Sequence, residues 1–517
     1  MSHRVIRAVF CVLVATLVRA EGPDDCKKPS GDAEIAACTR AIESGSLQGV
    51  KLAWAYNNRG VAKKNKGDIG GAIDDYSRAI ELYPQMQKGY NNRCIARRNK
   101  GDLDGAIADC NRAIEIDPKY VNAYNSRGLA KKAKGDVDGA ISDYDRAIEL
   151  DSREVGARIN RGNAKKDKGD VDGAILDYDH AIELNPRDVG AHIGRGIAKE
   201  VKGDLDGAAA SYTRAIEIDP RISNAYHGRG NVKKDQGNLD GAMADYTLAI
   251  EIDPKLADVY YERGNVKTIQ GNLNGAIADY TRAVEIDPKL ASAYHERGNV
   301  KTTQGNLNGA IADYTRAVEI NPKLASAYHE RGNVKTTQGN LNGAIADYTR
   351  AIEIDPKSAN AYYARGQVRF HKGEFELAVA DVLRRQELEP DSYGAFWLYL
   401  ARARGESGVK NELMVGTDTA KGDGEKWPAP ITALLLGKST PAGVLSAAEN
   451  PDPKTSKEQR CEANYYVGQW YLAKGERTKA LTALMAARDQ CHKNFIEFTG
   501  AVHELKRLGE RQSGKKP

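Results

Sequence analysis

The chain of 517 residues is longer than a single compact core usually organises, and 41% of it is hydrophobic while 28% is charged. That balance excludes a protein with many membrane spans. Glycine is frequent, with 51 residues, proline is scarce, with 17, and the aromatic residues include 25 tyrosines. Such a skew indicates one short pattern copied many times, and not collagen or plain disorder. The net charge of +5 is spread over interleaved acids and bases, so no nucleic-acid partner is expected.

The first twenty residues have the features of an export signal. Arg4 and Arg7 precede an apolar run from 8 to 18, and Val18-Arg19-Ala20 suits cleavage before Glu21. The run is too short to cross a bilayer as a helix, so no stable membrane anchor is expected. We predict a periplasmic or secreted mature protein that begins at Glu21, and the sequence leaves the choice between these two compartments open.

Residues 21–52 are predicted to cap a helical array. A short helix ends in Cys38-Thr-Arg-Ala-Ile-Glu, which imitates the second helix of the repeat that follows. The capping region would seal the first repeat against solvent, which an array of stacked units requires.

Residues 53–392 repeat a pattern of 34 residues ten times without a gap. With Ala53 as position 1, position 15 is always Gly and position 20 is always Ala, from Gly67 and Ala72 onward. Position 8 is Gly and position 32 is Pro in nine copies each, while positions 4 and 24 are Tyr in eight each. The spacing predicts two amphipathic helices per unit, here called A and B, with a Gly-Asp or Gly-Asn turn between them and a proline at the end. Gly at position 8 permits close approach of the two helices.

This pattern resembles the tetratricopeptide repeat, which has an aromatic residue near position 4, Gly at 8, Ala at 20 and 27, an aromatic residue at 24 and Pro at 32. The unit from 257 to 290 matches every one of these positions. The resemblance implies an all-α superhelical solenoid of antiparallel helix pairs with helical caps at both ends, in which the helices A line a concave groove that binds peptides.

Two positions depart from the family pattern. Position 7 is Arg in all ten copies, and position 11 is always Lys or Arg. Position 23 is Asp in nine copies and position 29 is Glu in all ten. Because acids recur at the same period, we expect solvated or inter-repeat ion pairs and not a cationic binding ladder.

Positions 5, 9 and 12 of helix A are expected to line the groove, and these positions change along the array. Position 12 is basic early and Thr later, and position 9 becomes Asn, whose amide can both donate to and accept from an extended peptide backbone. A chaperone-tail clamp needs Lys at position 5, which is absent here. Repeats eight and nine are nearly identical, and repeats seven to nine can act as a spacer or as a repetitive surface. The candidate groove residues are Lys64, Arg98, Lys132, Asn163, Lys166, His227, Asn231, Asn265, His295, Asn299, His329 and Asn333.

Beyond the ten repeats, we expect a helical and loop connector at 393–460, a degenerate repeat with a C-terminal cap at 461–508, and a flexible tail at 509–517. Trp427, the run from 434 to 437, the run from 465 to 469 and the run from 494 to 497 resemble the tail of a bacterial envelope lipoprotein built on the same repeats. That resemblance implies an adaptor for an envelope protease or a cell-wall hydrolase, and makes Trp427 and Trp470 candidates for docking.

Six cysteines of the mature chain fall into three couples that are local in sequence, which indicates an oxidising compartment. In repeat two, the residues at positions 8 and 24 are both replaced by cysteine, at places that lie opposite each other in an antiparallel pair. Another couple would close the open end of the degenerate repeat. Buried free thiols are the alternative. The predicted disulfides are Cys26–Cys38, Cys94–Cys110 and Cys461–Cys491.

No motif in the chain predicts catalysis, a metal site or a cofactor. Histidines at position 5 of adjacent repeats are about 8 to 10 Å apart, which is too far to share a metal. Every Gly and Asp column follows the repeat, so phosphate loops and carboxylate pairs are absent. We predict a non-catalytic scaffold for protein or peptide partners. The alternatives are the adaptor and a secreted protein that acts on another cell. The oligomeric state stays open.

Overall fold

The computed structural model describes residues 26, 31–405, 427–492 and 495–509, and these form 27 helices and no strand. The predicted signal peptide, residues 21–25 and 27–30 of the predicted cap, the loop 406–426, residues 493 and 494 and most of the predicted tail, 510–517, lie outside the described residues. Contacts divide the chain into two compact units, 1–254 and 255–517. None of the described helices is long and apolar enough to span a membrane.

The first unit contains the capping helix and the first six helix pairs. Their bounds are α1 Asp32–Glu43, α2 Gly49–Asn65, α3 Ile69–Leu82, α4 Gln87–Lys100, α5 Leu103–Ile116, α6 Val121–Lys134, α7 Val137–Leu150, α8 Val155–Lys168, α9 Val171–Leu184, α10 Val189–Lys202, α11 Leu205–Ile218, α12 Ser223–Asp235 and α13 Leu239–Ile252.

The second unit contains four helix pairs and a C-terminal module, defined here as residues 392–405, 427–492 and 495–509. The bounds are α14 Ala257–Ile269, α15 Leu273–Ile286, α16 Ala291–Thr303, α17 Leu307–Ile320, α18 Ala325–Thr337, α19 Leu341–Ile354, α20 Ala359–Lys372, α21 Phe375–Leu388, α22 Ser392–Arg404, α23 Ala429–Leu435, α24 Pro441–Ala447, α25 Pro453–Ala473, α26 Arg477–Gln490 and α27 Ile496–Arg507.

The turn between helices A and B follows from two residues of each repeat. In repeat eight, Gly305 adopts a φ of 77°, which a residue with a side chain rarely tolerates, and so ends helix A. Asn306 then caps helix B, because its Oδ1 accepts a hydrogen bond from the backbone N–H of Gly309 at 3.0 Å. The same geometry recurs in the other repeats, with Asp or Asn as the cap, except in repeat ten, where Glu374 makes no such bond.

Close packing within a repeat depends on Gly at position 8 and Tyr at position 24. A Cβ added to Gly298 would lie 2.6 Å from the ring of Tyr314, so only glycine allows the observed separation. Tyr314 is fully buried, and it packs with Ala310 of its own repeat and Val334 of the next. Each core cluster of this kind joins neighbouring repeats, as expected for a solenoid.

The cations at positions 7 and 11 converge on the Asp at position 23 of the same repeat. In repeat eight, Nη2 of Arg297 lies 2.7 Å from Oδ1 of Asp313, and Nζ of Lys301 lies 2.7 Å from Oδ2. Arg297 also donates to Thr281, at position 25 of the preceding repeat, at 3.0 Å. Ion pairs are present as predicted, but these are neither solvated nor between repeats, because Asp313 is only 4% exposed and both cations belong to its own repeat.

Helix α1 occupies the place of a helix B before repeat one. Arg59 donates to Thr39, as later position-7 arginines do to position 25 of the preceding repeat, and Lys66 pairs with Asp32. Cys38 lies in a buried cluster with Cys26 and Ala55.

Two of the three predicted disulfides are formed, Cys94–Cys110 and Cys461–Cys491, with Cα separations of 5.6 and 4.9 Å. The third prediction is wrong in this structure, since Cys26 and Cys38 are free buried thiols. The Sγ of Cys38 points to the carbonyl oxygen of Cys26, at 3.7 Å, and so donates a hydrogen bond where a bond between sulfurs was expected. Burial raises the pKa of Cys38 well above its usual range.

The C-terminal module has its own core, which continues onto repeat ten. Phe370 of α20, Trp397 of α22 and Tyr466 of α25 belong to one buried cluster. The boundary predicted at 460/461 falls inside a helix. Helix α25 begins at Pro453, because Asp452 caps it by accepting from the N–H of Thr455 at 2.8 Å, and it runs unbroken across that boundary.

Candidate peptide-binding face of the helices A

Within each unit, helices A of successive repeats contact one another, whereas successive helices B make no comparable contacts among the described residues. The helices A therefore form the inner layer of each unit. We define the helix-A face as the side chains at positions 5, 6, 9 and 12 of these helices. It contains all twelve residues that the sequence predicted for the groove.

In repeats one to four, the helix-A face has a cation at position 12. Lys132 and Lys166 both bind Asp167, at 2.9 and 3.2 Å. Burial favours a higher pKa for Asp167, but the hydrogen bonds from the two lysines outweigh it and lower the pKa. Lys64 and Arg98 make no ion pair with any described carboxylate, and Arg98 donates only to the amide oxygen of Asn99, at 3.2 Å.

The asparagines at position 9 bind the buried tyrosine of their own repeat. The Tyr178 hydroxyl donates to Oδ1 of Asn163 at 2.8 Å, and Tyr314 donates to Asn299 at the same distance. The amide oxygen that was expected to meet a peptide is thus committed to a core tyrosine. The same bond is present for Asn231, Asn265 and Asn333.

The histidines at position 5 pack over the position-24 tyrosines. The ring centroids of His227, His295 and His329 lie 6.1, 5.9 and 5.7 Å from the tyrosine rings of their repeats. Nδ1 of His295 lies 3.0 Å from Glu296, and Nδ1 of His329 lies 3.2 Å from Glu330. Hydrogen bonding from these histidines lowers the pKa of Glu296 and of Glu330.

Position 6 also belongs to this face and was not among the predicted groove positions. Nδ2 of Asn92 donates to Oδ1 of Asn57 in the preceding repeat at 2.9 Å, and Asn160 binds Asn125 in the same way. Side chains at positions 5 and 6 of adjacent repeats therefore meet. A change of residue type along the array, from amides early to Glu262, Glu296 and Glu330 later, was the signal that could have revealed it.

Three buried polar atoms beneath the helix-A face of repeats one to three have no hydrogen-bond partner: Oδ1 of Asn91 and the hydroxyls of Tyr76 and Tyr144. The tyrosines lack the partner found elsewhere because position 9 of these repeats is apolar, Val61 or Leu129. In the repeat after Asn91, Ser126 stands at position 6, where other repeats have an asparagine that donates to position 5.

The two docking candidates are half-buried and engaged within the C-terminal module. Nε1 of Trp427 donates to Oε2 of Glu462 at 2.9 Å, and the hydroxyl of Tyr393 donates to the same oxygen at 2.9 Å. Trp470 packs edge-on against Tyr471, with 5.3 Å between the ring centroids, and Lys474 lies over its ring.

The same module buries several ionisable side chains. Burial raises the pKa of Glu497 to about 7, assisted by the nearby Glu462, and lowers the pKa of His371 to about 3, assisted by His503. Glu504 is 1% exposed and pairs with Arg404. These groups lie inside the core and not in an open site. Within the described ranges, no three His, Cys, Asp or Glu side chains converge as metal ligands would.

Models of the tetratricopeptide repeat match more than half of the chain. The matched ranges are 53–86, 96–135, 121–154, 159–221, 230–267, 264–305, 298–338 and 332–373. The chain belongs to the tetratricopeptide repeat family.

Solved structures of other tetratricopeptide repeat proteins are similar over part of the chain. A tetratricopeptide repeat protein from Parabacteroides merdae is 22% identical over 46% of this chain and 93% of its own, with a TM-score of 0.38. YrrB, described as having an unusual peptide-binding site, is 26% identical over 36% of this chain and 96% of its own, with a TM-score of 0.33. Yeast Tom70 is 16% identical over 72% and 92%, with a TM-score of 0.37.

Proposed function

We propose that this tetratricopeptide repeat chain is a non-catalytic scaffold that binds protein or peptide partners on its helix-A face. The strongest support for this proposal is the difference in variability between the core positions of the repeat and the helix-A face. Core positions 8, 20, 23 and 24 keep nearly the same residue in every repeat, whereas positions 5, 6, 9 and 12 change in charge and size along the array. Side chains that vary along a surface, while the core beneath them stays nearly the same, suit recognition of partners by their surface chemistry.

We further propose that the protein works outside the cytoplasm, in the periplasm or beyond. The export-like first twenty residues and the two disulfides support this location, because disulfides persist in oxidising compartments.

Photo-crosslinking tests the proposed binding face. We would place p-benzoylphenylalanine at Asn99 or Thr303, which are exposed beside the helix-A face, and at Ala108 or Ala278, which are exposed on helices B. Envelope proteins should crosslink at the first two positions and not at the other two. Equal crosslinking at all four positions would contradict a specific face.

The adaptor for an envelope protease or a cell-wall enzyme is the second candidate, and the half-buried Trp470 on a C-terminal module outside the ten repeats favours it. Deleting the module is a poor test, because it would uncover Phe370 and Val382 of repeat ten, which belong to the shared cluster. The substitution Trp470→Ala changes the surface of the C-terminal module instead. Lys474→Ala is the control, because it removes the charge that lies beside Trp470. Loss of an enzyme partner from Trp470→Ala alone, with retention of partners crosslinked at Asn99, would support the adaptor.

A further inference from the structure

Most cations of the early repeats have carboxylate partners, but on the helix-A face of repeats one to three two of the three cations have none among the described residues. Position-11 cations bind Asp at position 23, and position-26 arginines bind Glu at position 29, as in Arg78 with Glu81 at 2.8 Å. At position 12, Lys64 and Arg98 have no such partner, although both are half-buried. Lys132 shares its single carboxylate, Asp167, with Lys166.

The same segment contains unsatisfied hydrogen-bonding groups, an observation independent of charge. Oδ1 of Asn91 and the hydroxyls of Tyr76 and Tyr144 are buried without a partner, and these residues are 5% exposed or less. Buried polar groups are normally paired, so these three atoms leave hydrogen-bonding capacity that water or a bound ligand would satisfy. Burial raises the pKa of Tyr144 and the positive charge of Arg98 opposes that rise, so Arg98 lies within electrostatic range of the unpaired hydroxyl.

We propose that the helix-A face of repeats one to three binds an extended acidic peptide, whose carboxylates pair with Lys64, Arg98 and Lys132. This inference rests on the proposed function and specifies its partner.

The spacing of the cations suits a peptide. One cation per repeat, with neighbouring helices about 8 to 10 Å apart, corresponds to about three residues of extended chain at roughly 3.3 Å each. Acidic residues at positions i, i+3 and i+6 of the peptide would therefore meet successive repeats. Double-stranded DNA carries a charge about every 1.7 Å of helix axis, which is far denser than this row of cations.

The second unit provides an internal contrast. Position 12 of repeats seven to nine is Thr, and Thr302 contacts the hydroxyl of Tyr314 at 3.2 Å. Position 6 of the same repeats is Glu. An acidic peptide would be repelled there, so the preference belongs to the early repeats alone.

The test measures fluorescence anisotropy of labelled peptides of about 12 residues with the purified full chain. One peptide has Glu at every third position, a second has Lys in those places, and a third has Gln. The Glu peptide should bind most tightly. The double variant Lys64→Thr/Arg98→Thr should weaken it at least about tenfold, because two charge-assisted contacts are lost. Thr is the residue that this chain uses at position 12 in other repeats, so the fold should persist, which circular dichroism checks.

The matched control is Lys100→Gln/Lys134→Gln. It removes two exposed charges at position 14, where later repeats carry Gln, and it should change the affinity less than about twofold. An equal loss in both double variants, or none in the first, would overturn the inference.

The competing outcomes separate the inference from the function on which it rests. If the Lys or Gln peptide binds best, and the position-12 variants leave its affinity unchanged, the acidic partner is refuted but the proposed scaffold function is not. If no peptide binds and crosslinking at Asn99 also finds no partner, both fail. Tighter binding of single-stranded nucleic acid that depends on Lys64 and Arg98 would also overturn the acidic-peptide inference.

Discussion

The buried carboxylate at position 23 should be a main source of stability in each repeat. Asp313 accepts from Nη2 and Nε of Arg297 at 2.7 and 2.9 Å and from Lys301 at 2.7 Å. We predict that Asp313→Ser destabilises the second unit, because it leaves two half-buried cations without their shared carboxylate. Repeat five shows that serine fits there, since Ser211 occupies this position and accepts from Arg195 at 3.1 Å.

The size of the effect follows from burial. Breaking a fully buried ion pair costs about 3 to 5 kcal/mol. The side chains of Arg297 and Lys301 remain 12% and 19% exposed, so water can partly hydrate them after the substitution. Arg297 also keeps its contact with Thr281. We therefore expect a free energy of unfolding lower by about 2 kcal/mol.

Urea unfolding followed by circular dichroism measures the loss, and hydrogen exchange of α16 and α17 localises it, because repeat arrays can open locally. The control is Glu319→Gln, which removes an exposed partner of Arg316 and should cost less than about 0.5 kcal/mol. The reverse substitution Ser211→Asp should stabilise repeat five.

Equal effects of Asp313→Ser and Glu319→Gln would refute the reasoning, because they would show that the buried carboxylate contributes no more than a surface one. A destabilising Ser211→Asp would contradict it independently, since Arg195 already donates to Ser211 and Lys199 occupies position 11 of the same repeat.

Three further predictions follow from packing, hydrogen bonding and ionisation. Gly298→Ala should lower the free energy of unfolding by about 1 to 2 kcal/mol, because the Cβ meets the ring of Tyr314 at 2.6 Å; thermal unfolding measures this. Asn163→Leu should cost about 1 to 3 kcal/mol by leaving the Tyr178 hydroxyl unpaired, and the loss should shrink when Tyr178→Phe is added, in a double-mutant cycle. The folded pKa of Glu497 is raised from 4.5 to about 7, so its contribution to the stability of the C-terminal module should be complete below about pH 4.5. About 3 kcal/mol should be lost as the pH rises from about 4.5 to about 7, and hydrogen exchange of α27 follows this loss.

Each of these has its own check. Gly70→Ala places a Cβ in open space on helix α3 and should be neutral or stabilising, so an equal loss there would show that the contact with tyrosine is irrelevant. In the double-mutant cycle, the losses in free energy of unfolding from Asn163→Leu and Tyr178→Phe should not add. Additive losses would show that their hydrogen bond contributes nothing to stability. Glu497→Gln should flatten the pH profile between 4.5 and 7, and an unchanged slope would assign it to other groups.

The period of 34 residues sufficed to predict most of the fold. Glycine at position 15 and a polar cap at 16 specify each turn, and Cys94 and Cys110 could be paired because they replace the residues of a known contact. The start of α25 was missed, since the cap Asp452 and Pro453 lie outside the repeat register. The bond predicted between Cys26 and Cys38 failed because proximity in sequence does not orient a thiol.

The sequence by itself determined the helix pairs, their order and the positions that vary, because each depends on local conformation and on periodicity. Tertiary structure decided which side chains are available to bind a partner. Asn299 seemed free for a peptide, but its amide oxygen binds a tyrosine 15 residues away. Asp313 seemed to be a surface acid, but it is buried between two cations. Such partners meet only when helices A and B pack against each other, so burial and competing hydrogen bonds cannot be determined from one column of a repeat.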